Sequence, residues 1–315
     1  MKKIIPIMLF SMSILLVCSS ATLTPTPTPS APCLRKIVYT STGDQDIFEI
    51  MVMNSDGTDI RNISNNPADD LDPTWSPDGK QIAFVSDRGN NSSLDTQIYI
   101  MNADGSGAFQ LTKGLGSSRY LAWSPDGKQI AFAYEFSTQS DIYLINVDGS
   151  GFKRLTYTSR WNLSPTWSPD GKMLAYSSAL WDEKQKEFIN SDIYIINVDG
   201  TNPRKVTTSL ADDYSPAWSP DGKMIAFTSK RRGDADIFLL NLSTATAKQL
   251  TLNSPSNDEH PAWSPDGKTI AFDSNRDNSG GEIYLMDSNG QHVVRLTNSA
   301  PHHMTWQPVW SSVCN

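Results

Sequence analysis

Trp75-Ser76-Pro77-Asp78-Gly79-Lys80 returns as the same six letters at Trp123, Trp167, Trp218 and Trp263, at intervals of 48, 44, 51 and 45 residues. Such spacing is that of four-stranded propeller blades, which take roughly 40 to 50 residues each. A sixth tryptophan, Trp310, follows after 47 more, keeping Pro308 before it and Ser311 after it.

Working outward from the tryptophan, a short apolar segment enters Ser-Pro-Asp-Gly. Its proline presets φ and its glycine accepts positive φ, so the stretch reads as a tight turn. A second strand follows, as in Gln81-Ile82-Ala83-Phe84-Val85-Ser86, and then a third, as in Ile98-Tyr99-Ile100-Met101. The third ends in Asn102-Ala103-Asp104-Gly105, a strong hairpin signal. A fourth closes on Leu111-Thr112, with counterparts at Leu155-Thr156, Val206-Thr207, Leu250-Thr251 and Leu296-Thr297. Four antiparallel strands per repeat predict an all-β chain of propeller blades.

Residues 36–64 supply a second, third and fourth strand with no first, while Pro308-Val309-Trp310-Ser311 is a first strand with nothing after it. The expectation is a six-bladed β-propeller over 33–315, closed by pairing its N- and C-terminal strands, which leaves no open edge. Cys314 stands where other blades have the turn glycine, and Cys33 aligns with the turn aspartate. A Cys33–Cys314 disulfide in place of the missing turn is expected; in the chain-entropy picture it contributes on the order of 4 kcal/mol.

Ahead of the ring, residues 1–21 read as a secretory signal: Lys2 and Lys3, an apolar run from Ile4 to Val17, then small residues. Leu15-Leu16-Val17-Cys18 resembles a lipobox, making Cys18 the expected lipidation site, with cleavage after Ala21 as the alternative. Residues 22–32, Thr/Pro-rich, read as an extended tether. Losing Lys2 and Lys3 with the leader takes the formal charge from −8 to −10, which argues against nucleic acid as a partner.

Pro73–Ser86 and Pro216–Ser229 both read Pro-x-Trp-Ser-Pro-Asp-Gly-Lys-x-Ile-Ala-Phe-x-Ser. With the third-strand Asn-x-Asp-Gly and the closing Leu-Thr, this pattern resembles the β-propeller repeat of the TolB family from about Leu34 to Cys314. The resemblance implies a periplasmic protein-binding platform contacting a peptidoglycan-associated lipoprotein and other envelope proteins. Here a tether is expected where TolB has an α/β domain. Prolyl oligopeptidase-type peptidases carry similar repeats, but no Gly-x-Ser-x-Gly nucleophile elbow occurs in this sequence.

Long loops on one face of the ring are the expected place for binding. Arg119, Tyr120, Trp161, Trp181, Tyr214 and Trp306 fall on that face and are of the types that dominate interfaces. The loop Ala179–Asn190, which holds Trp181, is the first choice for a contact. Five places before each tryptophan stand Asp70, Ser118, Asn162, Asp213, Asp258 and Thr305, expected to ring the channel mouth or to cap the turns into their strands. With Asp69, Asp72, Asp212 and Glu259, the acids Asp70, Asp213 and Asp258 would form an acidic mouth for calcium or a basic segment. His260, His302 and His303 are weighed as metal ligands without a recognised spacing. The six repeat tryptophans are expected to pack between blades.

The function this favours is an exported, lipid-anchored, monomeric platform, periplasmic or extracellular, that binds an envelope protein or peptide without catalysis. No cofactor beyond calcium is expected. The alternatives are a metal-dependent enzyme acting on envelope polysaccharide and a calcium-stabilised carbohydrate-binding module.

Overall fold

The computed structural model describes residues 34–43, 46–89, 95–114, 116–136, 139–252, 255–277, 280–300 and 303–314. Cys18, Cys33, His302, the leader and the tether lie outside them. Among the described residues every regular element is a strand, in six four-stranded sheets. Blade 1 joins both ends of the chain: Thr305–Cys314 pairs with Arg35–Thr42, followed by Phe48–Asn54 and Arg61–Asn62. The inner strands of blades 2 to 6 are Asp70–Trp75, Ser117–Trp123, Trp161–Trp167, Asp213–Trp218 and Asp258–Trp263. The ring is closed as the sequence predicts.

Six apolar clusters fill the six junctions between blades. Trp75 packs with Val38, Ile50 and Val52 of blade 1 and with Ile82 and Phe84 of blade 2, and the other five tryptophans repeat this. The second strands carry the largest fully buried side chains, Phe84, Phe132, Phe227 and Phe272.

The tight turns lock each hairpin and also nest against one another. Ser76 Oγ donates to Asp78 Oδ1 (2.7 Å) and accepts from the Gln81 N–H (2.9 Å), while the Gly79 N–H bonds Ser76 O (2.9 Å) at φ +69. The same contacts recur at Ser124, Ser168, Ser219 and Ser264. A Cβ on Gly127 would sit 3.4 Å from Pro77, and one on Gly222 would sit 3.3 Å from Pro169. The repeat therefore keeps proline and glycine partly because the turns of neighbouring blades touch.

The closing Leu-Thr is explained by a stitch repeated in the ring. The Thr112 hydroxyl accepts from the Ile98 N–H (2.9 Å) and donates to Gln97 (2.9 Å), and Thr156 does the same with Ile142 and Asp141. A two-residue outer strand is thereby fastened to a full-length third strand.

Hydrogen bonds from serine hold the carboxyls of Asp78, Asp126, Asp170, Asp221 and Asp266 below their ordinary value of 3.8. Because their folded pKa values are depressed, these groups stabilise the ring above the ordinary value, and that contribution is lost as pH falls through the folded values. Replacing all five by Asn should flatten the loss of stability between about pH 5 and about pH 3 relative to wild type, measured by urea unfolding.

Candidate functional site

A β-bulge in every inner strand builds the channel. Three places before each tryptophan, Asp72, Tyr120, Ser164, Ser215, His260 and Gln307 all adopt φ between 49° and 56°. The register of each inner strand slips across this residue. Proline follows it in five of the six blades, at Pro73, Pro165, Pro216, Pro261 and Pro308, where the slip removes the need for a ladder N–H. All six bulge residues line one central cavity of about 350 Å³ whose walls include five of the repeat tryptophans, Trp123, Trp167, Trp218, Trp263 and Trp310.

At the long-loop end this cavity meets two others. One, of about 430 Å³, is lined by Asp72, Arg119, Glu259, Asp273, Trp306 and Gln307 among others. The second, of about 290 Å³, is lined by Phe188, Asp212, Tyr214 and Lys230. Tyr120 and His260 border all three.

Polar contacts tie this mouth together across blades. Asp72 Oδ2 accepts from the Tyr120 N–H (2.7 Å), the His260 N–H reaches Thr228 Oγ1 (3.3 Å), and the Gln307 N–H reaches Asp273 Oδ1 (3.1 Å). Each bond runs from a bulge N–H to a side chain of the preceding blade. His260 Nδ1 lies 2.9 Å from Asp273 Oδ1, and Tyr214 Oη donates to Glu259 Oε1 (2.6 Å).

Burial raises the carboxyls of Asp72, Glu135 and Asp273. Burial also works to lower the His260 imidazole, but Asp273, Glu259 and Asp72 outweigh it and push it up to about 9. Burial first, then the Asp72 charge, raises the Tyr120 hydroxyl to about 12. The mouth thus brings an imidazole and carboxyl groups into direct contact, each altering the other's hold on its proton.

Of the residues singled out from sequence, Arg119, Tyr120, Tyr214, Trp306, Asp72 and Glu259 do meet at this mouth. Trp306 packs edge-on against Phe48 with centroids 5.0 Å apart, and Arg119 lies 3.9 Å from Glu135. Trp161 and Trp181 form an aromatic group with Phe188 beside the mouth. The stretch Ala179–Asn190 belongs to an extended hairpin, not a loop: Leu180, Trp181 and Asp182 pair with Ile189, Phe188 and Glu187. Asp182 caps its turn by accepting from the Lys184 N–H (2.7 Å).

The acidic ring requires correction. Asp70, Asp213 and Asp258 have side chains with 0 % exposure and are clamped by Arg88 (2.5 Å), Arg231 (2.9 Å) and Arg276 (2.7 Å) of their own blades. These acids hold the loop after the second strand, so of the acids set at the mouth only Asp72, Asp212 and Glu259 line its cavities. Asp69 and Asp212 bridge to the preceding blade by accepting from the Phe48 and Ser191 N–H groups. His303 lines a separate cavity with Tyr39 and Glu49, away from His260.

The bulge residues Ser164, Ser215 and Gln307, with Asp273, are members of the site that the sequence reading missed. The signal of the three bulge residues is a polar residue followed by proline, three places before the tryptophan; Asp273, on the second strand, carries no such signal.

Two matches to the model of the TolB beta propeller domain, over residues 90–189 and 183–254, together span more than half of the chain. A TolB homolog of Chlorobium luteolum is 46% identical over 59 residues, 19% of this chain and 14% of that protein. The Tol-Pal system protein TolB of Desulfosudis oleivorans is 31% identical over 110 residues, 35% of this chain and 24% of that protein. The crystal structure of TolB from Acinetobacter baumannii superposes with a TM-score of 0.73 at 21% identity, covering 88% of this chain and 66% of that one. The matched stretches are thus a minor part of both curated relatives.

Removing one member of a buried ion pair strands the other. Asp213→Ala should destabilise the ring by about 3 kcal/mol or more, and Asp213→Ala with Arg231→Met should recover much of that loss. Chemical denaturation of the two variants beside wild type checks it.

Proposed function

Because the chain belongs to the TolB β-propeller family, we propose that it is a non-catalytic platform of the cell envelope that binds a protein or peptide over the channel mouth. The observation that carries this is the meeting of three cavities at Tyr120 and His260 on the long-loop face, beside Arg119 and the half-buried aromatics Trp161, Trp181 and Trp306. Aromatic and arginine anchors around a desolvated pocket are the usual centre of a binding surface. A rigid ring supports them, so little ordering cost falls on this side of the complex.

Export by the leader, lipidation of Cys18 and a periplasmic or extracellular ring on its Thr/Pro tether complete the proposal. A Cys33–Cys314 bond would hold the ends of the ring together, beside the place where Cys314 pairs in register with Arg35.

The chain should capture a specific protein from the envelope fraction of its own source. Tyr120→Ala with Trp306→Ala should weaken that capture at least tenfold, on the scale of about 1.4 kcal/mol per decade, without lowering the melting temperature by more than a few degrees. Capture unchanged by the double variant, or recovery of glycan alone, would defeat the reading.

A further inference from the structure

The six bulges make the inner strands comparable position by position. In blade 6 the residue before the bulge, the bulge residue and the cross-strand residue are Glu259, His260 and Asp273, with Glu259 and Asp273 direct partners. The corresponding pairs elsewhere include Leu71–Val85, Leu163–Ser177 and Trp306–Thr40, and no blade but the sixth has an acid at either place. The other five blades therefore form this bulge without carboxylates at the paired positions, yet blade 6 sets two of them and an imidazole on the wall of one cavity. Groups that are costly to enclose and not needed for the fold point to a ligand.

The bulge explains how they converge. In a regular strand, consecutive Glu259 and His260 would point to opposite faces. With His260 at φ 50, ligand atoms of Glu259, His260 and Asp273 all lie within 4.8 Å of one another. Two neighbours orient them: Tyr214 Oη bonds Glu259, and the Gln307 N–H bonds Asp273. Among the described residues the amide oxygen of Gln307 is buried with no hydrogen-bond partner, and Gln307 lines the same cavity.

We propose that Glu259, His260 and Asp273 bind a divalent first-row transition ion, with the Gln307 amide oxygen as a further donor. An imidazole nitrogen beside carboxylates suits ions from manganese to zinc, whereas calcium prefers an all-oxygen cage of six or more ligands. The contacts from Tyr214 and Gln307 are the outer hydrogen bonds that aim metal ligands. The ion would sit within the mouth already described, and because its binding is read without any partner, loss of one activity is distinguishable from loss of the other.

Cobalt(II) is the probe, titrated into the full chain after treatment with chelator and followed by visible absorption and equilibrium dialysis. One cobalt per chain is expected. Glu259→Gln and His260→Gln should each weaken binding by about tenfold or more, while His292→Gln, at an exposed histidine paired with Asp287, should leave it unchanged. Thermal melts report whether each variant is folded. Should one not fold, cobalt must still shift the ring resonances of His260, and not those of His292, in the wild-type NMR spectrum. Absence of stoichiometric cobalt, unchanged affinity in folded Glu259→Gln and His260→Gln, or tight calcium binding without cobalt would overturn the proposal.

Discussion

The pairing of Thr305–Cys314 with Arg35–Thr42 is the constraint on which the rest depends. A blade buries its two faces only against its neighbours, so an open arc of blades would leave two sheets with unburied sides and exposed edges. Closing the ring through the two ends of the chain turns six local repeats into one cooperative body. The contacts at the seam reach past the strands. Arg35 donates to Ser312 O (2.7 Å), Ser41 and Thr305 share a hydroxyl bond (3.0 Å), and Val313 occupies the place beside Gly79 that proline takes at other junctions.

Closure creates the channel, and the bulges decide what faces it. One inserted residue per inner strand rotates a polar side chain into the lumen while the flanking residues keep their places in the ladder. The positive φ at non-glycine residues such as His260 and Tyr120 costs of order 1 kcal/mol each and is held by the surrounding sheets. Serine stands at two of the six bulges, Ser164 and Ser215. The other four, Asp72, Tyr120, His260 and Gln307, lie in consecutive blades and gather at one side of the mouth. The candidate site is a local departure from symmetry carried on a symmetric frame.

Most of the fold was legible because its determinants are local and repeated. Ser-Pro-Asp-Gly and Asn-x-Asp-Gly specify turns by their own chemistry, and the second strands that follow the first turn are buried along nearly their whole length. Blade count and closure followed from asking which strand each end lacked. The site was less legible because a bulge reverses the side-chain alternation that placed residues on faces. Asp70, Asp213 and Asp258 were set at the mouth, when they are pinned inside the blade by an arginine eighteen residues later. That pairing had a trace in the sequence: Ser86-Asp87-Arg88, Ser229-Lys230-Arg231 and Ser274-Asn275-Arg276 occur in the same three blades as the acids. Blades lacking the acid lack this triplet. The hairpin around Trp181 was read as a loop because its polar turn, Asp182–Gln185, hides paired strands on either side.

The central claim is that strand exchange between the two ends makes one cooperative ring, and hydrogen exchange on a chain ending at residue 304 tests it most directly. Loss of the inner strand of blade 1 should collapse amide protection across all six blades and abolish the single cooperative melt of the full chain. Protection and melting that persist in blades 3 to 5 at full-chain levels would contradict the account and show that the blades are stable without closure.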